Sequence, residues 1–208
     1  MLCFSQKYKI GNAQLLGNCE QQNDYFATEE NKNELFVVLA DGLTDLPAGK
    51  FASVIAVETM KYNYHHITKY NNTLDYFKQS FGDIDYSIHK NITGNKTGTA
   101  VICGIITDKK LVWASVGRCN LYLCRKGKII PIHDEVNKRI EYGTVECKKK
   151  DTLLFCTEGV EKGSSELEFK EILSSKQHPY DKAILLTERI RKRGYTHQKN
   201  GTAVIIEI

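Results

Sequence analysis

Phe36-Val37-Val38-Leu39-Ala40-Asp41-Gly42 is followed, after Leu43 to Pro47, by Ala48-Gly49-Lys50-Phe51-Ala52-Ser53. Five apolar residues without a polar break read as a strand buried on both faces. An acidic residue and a glycine end that strand, and Pro47 then opens a helical stretch. Taken alone, Asp41 would cap a turn and Gly42 would supply an unusual backbone angle. What Asp41 does depends on what the rest of the chain brings near it.

Working outward, alternation and β-branched content predict strands near Tyr8 to Leu16, Tyr25 to Thr28, Leu35 to Ala40, Thr99 to Thr107 and Leu111 to Val116. Further strands are expected at Leu121 to Cys124, Lys128 to Ile132, Thr152 to Cys156 and Thr202 to Ile208, with Arg125 to Lys128 as a glycine-containing hairpin turn. In the helix opened by Pro47, Phe51, Ile55 and Tyr62 share a face at i, i+4 and i+11. A second helix is expected over Leu74 to Ile92. A short one follows Thr152 to Cys156, and a last, capped by Asp181 or a neighbour, carries Ala183, Leu186 and Ile190 and closes at Gly194. Helices bunched in two blocks between runs of strands argue against the regular alternation of a doubly wound parallel sheet. Two mostly antiparallel sheets packed face to face, with helices outside, satisfy the order: an α+β sandwich.

The composition of the 208 residues, 41% hydrophobic and 26% charged with 3 Pro, is that of a globular protein, and one domain over 1–208 is the expectation. The formal charge of +4 is spread too evenly to predict a nucleic-acid partner, and Lys148-Lys149-Lys150 and the Arg189 to Arg193 cluster read as solvated faces. Seven cysteines without a C-x-x-C pair read as reduced thiols. No signal-peptide pattern and no membrane-length apolar run is seen, so a cytoplasmic protein is expected.

The opening stretch resembles the D-G-x-G-G-H-x-x-G-x-x-A-S of the metal-dependent Ser/Thr protein phosphatases of type 2C, with Asp41, Gly42, Gly49, Ala52 and Ser53 in register. Gln22-Asn23-Asp24 resembles that family's N-E-D, and Gly98-Thr99-Ala100 its G-T-T. Val112 to Gly117 with Leu121 to Leu123 is similar to the strands around its G-D-S-R. Asp151 to Val160 looks like its D-x-L-L-L-C-S-D-G-L, and Lys199 to Val204 like its final D-N-x-T-x-V. The resemblance implies a four-layer α/β/β/α sandwich with Mn²⁺ or Mg²⁺ held between the sheet edges. The short gap between Ile132 and Asp151 makes it similar to the small bacterial members.

Two-metal hydrolysis needs several carboxylates, because a pair of ions ~3.5 to 4 Å apart must share a bridging ligand and a water. By resemblance Asp41 is the bridge, the Gly42 carbonyl a further ligand, Asp24 an outer contact, and Glu158 the acid of the late D-G. The departures fall on the same site. Asn23 stands where the family has a glutamate ligand, and Lys199 where it has its last aspartate. Cys19 falls on the phosphate-gripping arginine, Arg118 on the aspartate of G-D-S-R, and Thr44 and Asp45 on the glycine pair. An ammonium ~4 Å from a divalent ion costs several kcal/mol even at an effective dielectric of ~20, whereas beside metal-free Asp41 and Glu158 it is favourable. Lys199 therefore reads as a built-in substitute for an ion.

Two readings follow. In one, the chain is a degenerate phosphatase, a regulatory module for a phosphoprotein or kinase-like signalling partner. In the other, it is an active Mn²⁺- or Mg²⁺-dependent phosphatase using Asp24, Asp41, Glu158 and Asp45. A cysteine nucleophile is disfavoured, because Cys119 precedes Arg125 by six residues without a phosphate-cradling loop.

Overall fold

The computed structural model describes residues 8–31, 34–43, 48–92, 97–107, 109–133 and 137–208. Ten strands are β1 (Lys9–Leu15), β2 (Asp24–Glu30), β3 (Leu35–Gly42), β4 (Thr99–Thr107), β5 (Lys110–Gly117), β6 (Cys119–Arg125), β7 (Lys128–His133), β8 (Asn137–Glu146), β9 (Thr152–Thr157) and β10 (Gly201–Glu207). The helices are α1 (Gly49–His65), α2 (Thr73–Asn91), α3 (Glu158–Gly163), α4 (Glu166–Ser174) and α5 (Pro179–Arg193). The strands form two five-stranded sheets, ordered β1-β10-β9-β6-β7 and β2-β3-β4-β5-β8, and the pairings are antiparallel.

Side-chain alternation explains the layers. In β3, Leu35, Val37 and Leu39 point into the layer between the sheets, where they meet Leu121, Phe155 and Val204. Phe36, Val38 and Ala40 point the other way, against α1 and α2. β9 and β10 divide likewise, with Leu154, Cys156, Ala203 and Ile205 against the helices α4 and α5. Uninterrupted apolar runs thus mark strands with helices on one face and a second sheet on the other, the four-layer α/β/β/α sandwich.

Three expectations need correction. Phe51 and Tyr62 do share a face of α1, but it is the outer one, 68% and 62% exposed. The buried face is Ala52, Ser53, Ala56, Val57 and Met60, whose small side chains let the helix approach the sheet. Second, the segment read as a short gap contains β8, an edge strand on β5. Its exposed Ile140 and Tyr142 lie among charged residues, and this mixture blurred the alternation. Third, α5 is capped by His178, whose Nδ1 accepts from the Tyr180 amide, with Pro179 as its first residue. Asp181 lies in the first turn, where a carboxylate favours the helix dipole. Pro47, Thr44 and Asp45 lie outside the described residues.

Among the described residues no helix is long and apolar enough to cross a membrane.

Candidate functional site

The strand ends that carry the resemblance meet at one edge of the sandwich. Asp24 opens β2 and Asp41 stands near the end of β3, directly opposite each other in the β2–β3 ladder. Glu158 is the first residue of α3, immediately after β9. Gly159 allows this approach, because a Cβ there would sit 1.9 Å from the Asn200 carbonyl oxygen. Asn200 ties the two sheets together. Its Oδ1 accepts from the Asn23 amide at 2.9 Å, and its Nδ2 donates to the carbonyls of Leu16 at 2.8 Å and Gln21 at 3.1 Å.

Asp24 is fully buried and gripped from the opposite sheet, with Oδ2 accepting from Thr157 Oγ1 at 2.9 Å and Thr202 Oγ1 at 2.7 Å. Burial pushes its carboxyl up to about 6, against these hydroxyls, a hydrogen bond with Asp41 and the charge of Lys50. Burial and the charge of Asp24 push Asp41 well above the carboxylate range, although the Glu158 amide and the Lys199 charge oppose this. Burial of both carboxyls and the charge of Asp24 acting on Asp41 make this acid pair easier to protonate than free carboxylates.

Glu158 is the opposite case. Its side chain is only 6% exposed, yet three cations reach it. Arg118 Nη1 lies 2.6 Å and Lys162 Nζ 2.5 Å from Oε1, and Lys199 Nζ lies 2.8 Å from Oε2. Burial raises this carboxyl, but the bonds from Lys162, Lys199 and Arg118 outweigh it and bring it down to about 2. Both oxygens of the late acidic residue are therefore committed to protein cations.

Asp24, Asp41, Glu158 and Lys199 converge, as does Asn23, whose buried Oδ1 has no hydrogen-bond partner. Gly42 donates its amide to the Asn23 carbonyl at 3.3 Å. Sequence reasoning placed Arg118 at a lost aspartate without assigning it to Glu158, and it missed Lys162. The signal for Lys162 was its i, i+4 spacing from Glu158 at the start of a helix. It also missed Thr157 and Thr202, the hydroxyls that hold Asp24. Cys119 is fully buried and burial pushes its thiol far up, which removes it as a nucleophile.

The donor set does not fit a two-ion centre. No group of three or more His, Cys, Asp or Glu among the described residues could hold a metal. Both oxygens of Glu158 are taken by three cations, Asn23 is a neutral donor, and the remaining acids, Asp24 and Asp41, are pushed above the usual carboxylate range.

This architecture is the fold of the bacterial serine/threonine phosphatases, the type 2C sandwich. Among solved structures, the S. agalactiae serine/threonine phosphatase superposes with a TM-score of 0.86 at 16% identity, over 97% of this chain and 99% of that one. The Mycobacterium tuberculosis serine/threonine phosphatase PstP/Ppp superposes with a TM-score of 0.79 at 14% identity, over 97% and 98%. The PstP catalytic domain in complex with two manganese ions has a TM-score of 0.76 at 16% identity, over 96% and 97%. No family model and no curated protein sequence matches this chain. At such identities the likeness establishes the fold, and the chemistry rests on this chain's own residues.

Proposed function

We propose that this chain is a phosphatase-fold regulatory module that binds a phosphorylated protein partner and has lost efficient hydrolysis. The observation that carries this reading is the convergence of Arg118, Lys162 and Lys199 on the single carboxylate of Glu158. In a two-ion site that carboxylate would face a metal; here its charge is already balanced by protein. The three cations outnumber it, leaving a local excess of positive charge, and their side chains are 51%, 62% and 48% exposed. An open cavity of about 420 Å³, lined also by Tyr195 and His197, adjoins Glu158, Lys162 and Lys199. A phosphoryl group entering it would meet Lys162 and Lys199 as charge-assisted donors without displacing an ion.

The test pairs binding with turnover. A phosphoserine peptide library and an aryl phosphate are presented to the purified protein with EDTA and with millimolar Mn²⁺. Expected are phosphate-dependent peptide binding that Arg118→Ala with Lys162→Ala weakens at least tenfold, and no Mn²⁺-dependent hydrolysis. Mn²⁺-dependent hydrolysis that falls by orders of magnitude in Asp41→Asn would replace this reading with that of an active metal-dependent phosphatase.

A further inference from the structure

The end of the molecule away from Asp41 carries a second concentration of charge. β6 begins at Cys119, paired with Thr157, and ends at Arg125, roughly 20 Å away at the rise of a strand. There the β6–β7 turn, the β8–β9 loop and the chain after α4 enclose a cavity of about 770 Å³. That size lies within the ~300–1,000 Å³ of small-molecule sites. Seven basic and two acidic side chains line it, a side-chain excess of +5 where the side chains of the whole chain sum to +4.

Both acidic side chains are already engaged. Asp151 accepts from Arg125 at 2.9 and 2.6 Å and from the Lys148 amide at 2.7 Å. Glu207 lies 3.0 Å from Lys9 Nζ and 3.4 Å from the buried Lys182 Nζ. Lys126, Lys149, Lys150 and Lys176 make no ion pair among the described residues and face this cavity from three different loops.

Backbone conformation gives an independent reason to single out this place. Among the described residues, two that are not glycine have positive φ: Lys126 at 52° and Lys150 at 74°. Glycine or asparagine adopts that region most cheaply, and a long side chain there costs free energy. Both strained positions carry lysine, and both line this cavity. Ser174 and Ser175 add hydroxyls to the lining, which contains no aromatic ring on which a base could stack. A concave site walled by three loops suits a compact anion better than a duplex or a flat bilayer.

We propose that this cavity binds a small anion with clustered phosphoryl groups, of the tripolyphosphate type, separately from the carboxylate end. The test is calorimetric titration of the full chain with tripolyphosphate near physiological salt, with orthophosphate as the comparison. Tripolyphosphate is expected to bind more tightly than orthophosphate. The double variant Lys126→Gly with Lys150→Gly should weaken it at least tenfold and also melt higher, because glycine relaxes both turns. Lys149→Glu with Lys176→Glu, whose backbones are unstrained, should weaken it similarly, while Arg118→Ala with Lys162→Ala should leave it unchanged within twofold. Vesicles carrying a phosphoinositide that bind and are released by tripolyphosphate would support the same chemistry on a lipid headgroup. The proposal is overturned by absent binding, by unaltered binding in both lysine variants, by a loss confined to the Arg118 and Lys162 variant, or by vesicle binding that tripolyphosphate does not compete.

Discussion

Replacing Glu158 by glutamine keeps the shape of the side chain and removes the charge that Arg118, Lys162 and Lys199 share. In the native protein the carboxyl falls from an ordinary 4.5 to about 2. At ~1.4 kcal/mol per unit, a shift of that size corresponds to about 3 kcal/mol in favour of the folded ion. The partners are half exposed, so solvent screening reduces this to about 2 kcal/mol. The loss then appears as a fall in melting temperature of roughly 4–8 °C at pH 7 for a domain of this size. The sign against pH is fixed: a depressed carboxyl contributes stability that is present above about 4.5 and lost as pH falls through about 2. Differential scanning fluorimetry of both proteins from pH 7 down to pH 2.5 reads both effects, and the gap should narrow below pH 4.5. Moderate salt should narrow it too, because the cations reach solvent. An unchanged or higher melting temperature for Glu158→Gln at pH 7 would refute the claim that one carboxylate holds three cations together.

The acid pair gives the opposite slope. Asp24 is raised from 3.8 to about 6, so its contribution is full below pH 3.8 and is lost as pH rises through about 6; with Glu158 acting from the other side, stability in EDTA should peak between about pH 4 and 5. A melting temperature that climbs steadily from pH 5 to 8 would contradict the raised carboxyl of Asp24. Asp41→Asn removes a half-buried acid without changing its shape and should raise the melting temperature in EDTA at pH 7, an advantage that vanishes near pH 4; a lower melting temperature at pH 7 would count against the pair. Gly159→Ala drives a methyl to 1.9 Å from the Asn200 carbonyl, and chemical denaturation should register a loss of about 3 kcal/mol or more, with a loss under about 1 kcal/mol showing that the β9–α3 turn can yield.

The layers were legible in the sequence because the strands that build them are apolar on both faces. Leu35 to Ala40 or Leu153 to Cys156 can go nowhere except between a sheet and a helix layer. β8 was not legible for the converse reason: it is an edge strand whose exposed Ile140 and Tyr142 are interleaved with charges. The inner face of α1 was hidden because close packing selects alanine and serine there and leaves Phe51 and Tyr62 outside. At the site, Asp24, Asp41, Glu158 and Lys199 could be found because each lies at or beside one end of a recognisable strand. Arg118 and Lys162 could not be placed from spacing to strand ends. One follows the bulged end of β5, and the other comes from the turn of α3 above Glu158. Lys126 read as part of a polar hairpin turn and Lys150 as an ordinary solvated lysine, because positive φ in a non-glycine residue leaves no trace in a sequence.

The central claim is that protein cations occupy the place of an ion, and a pair of thermal melts addresses it most directly. The native chain and Lys199→Asp are each melted in EDTA and in millimolar Mn²⁺. A ligand at a hundredfold its dissociation constant adds about 2.7 kcal/mol, or roughly 5–10 °C here. The native protein should ignore the metal, and Lys199→Asp should gain a metal-dependent rise. A rise of several degrees in the native protein would contradict the account, because Glu158, with Arg118, Lys162 and Lys199 on it, would then have to release them to hold an ion.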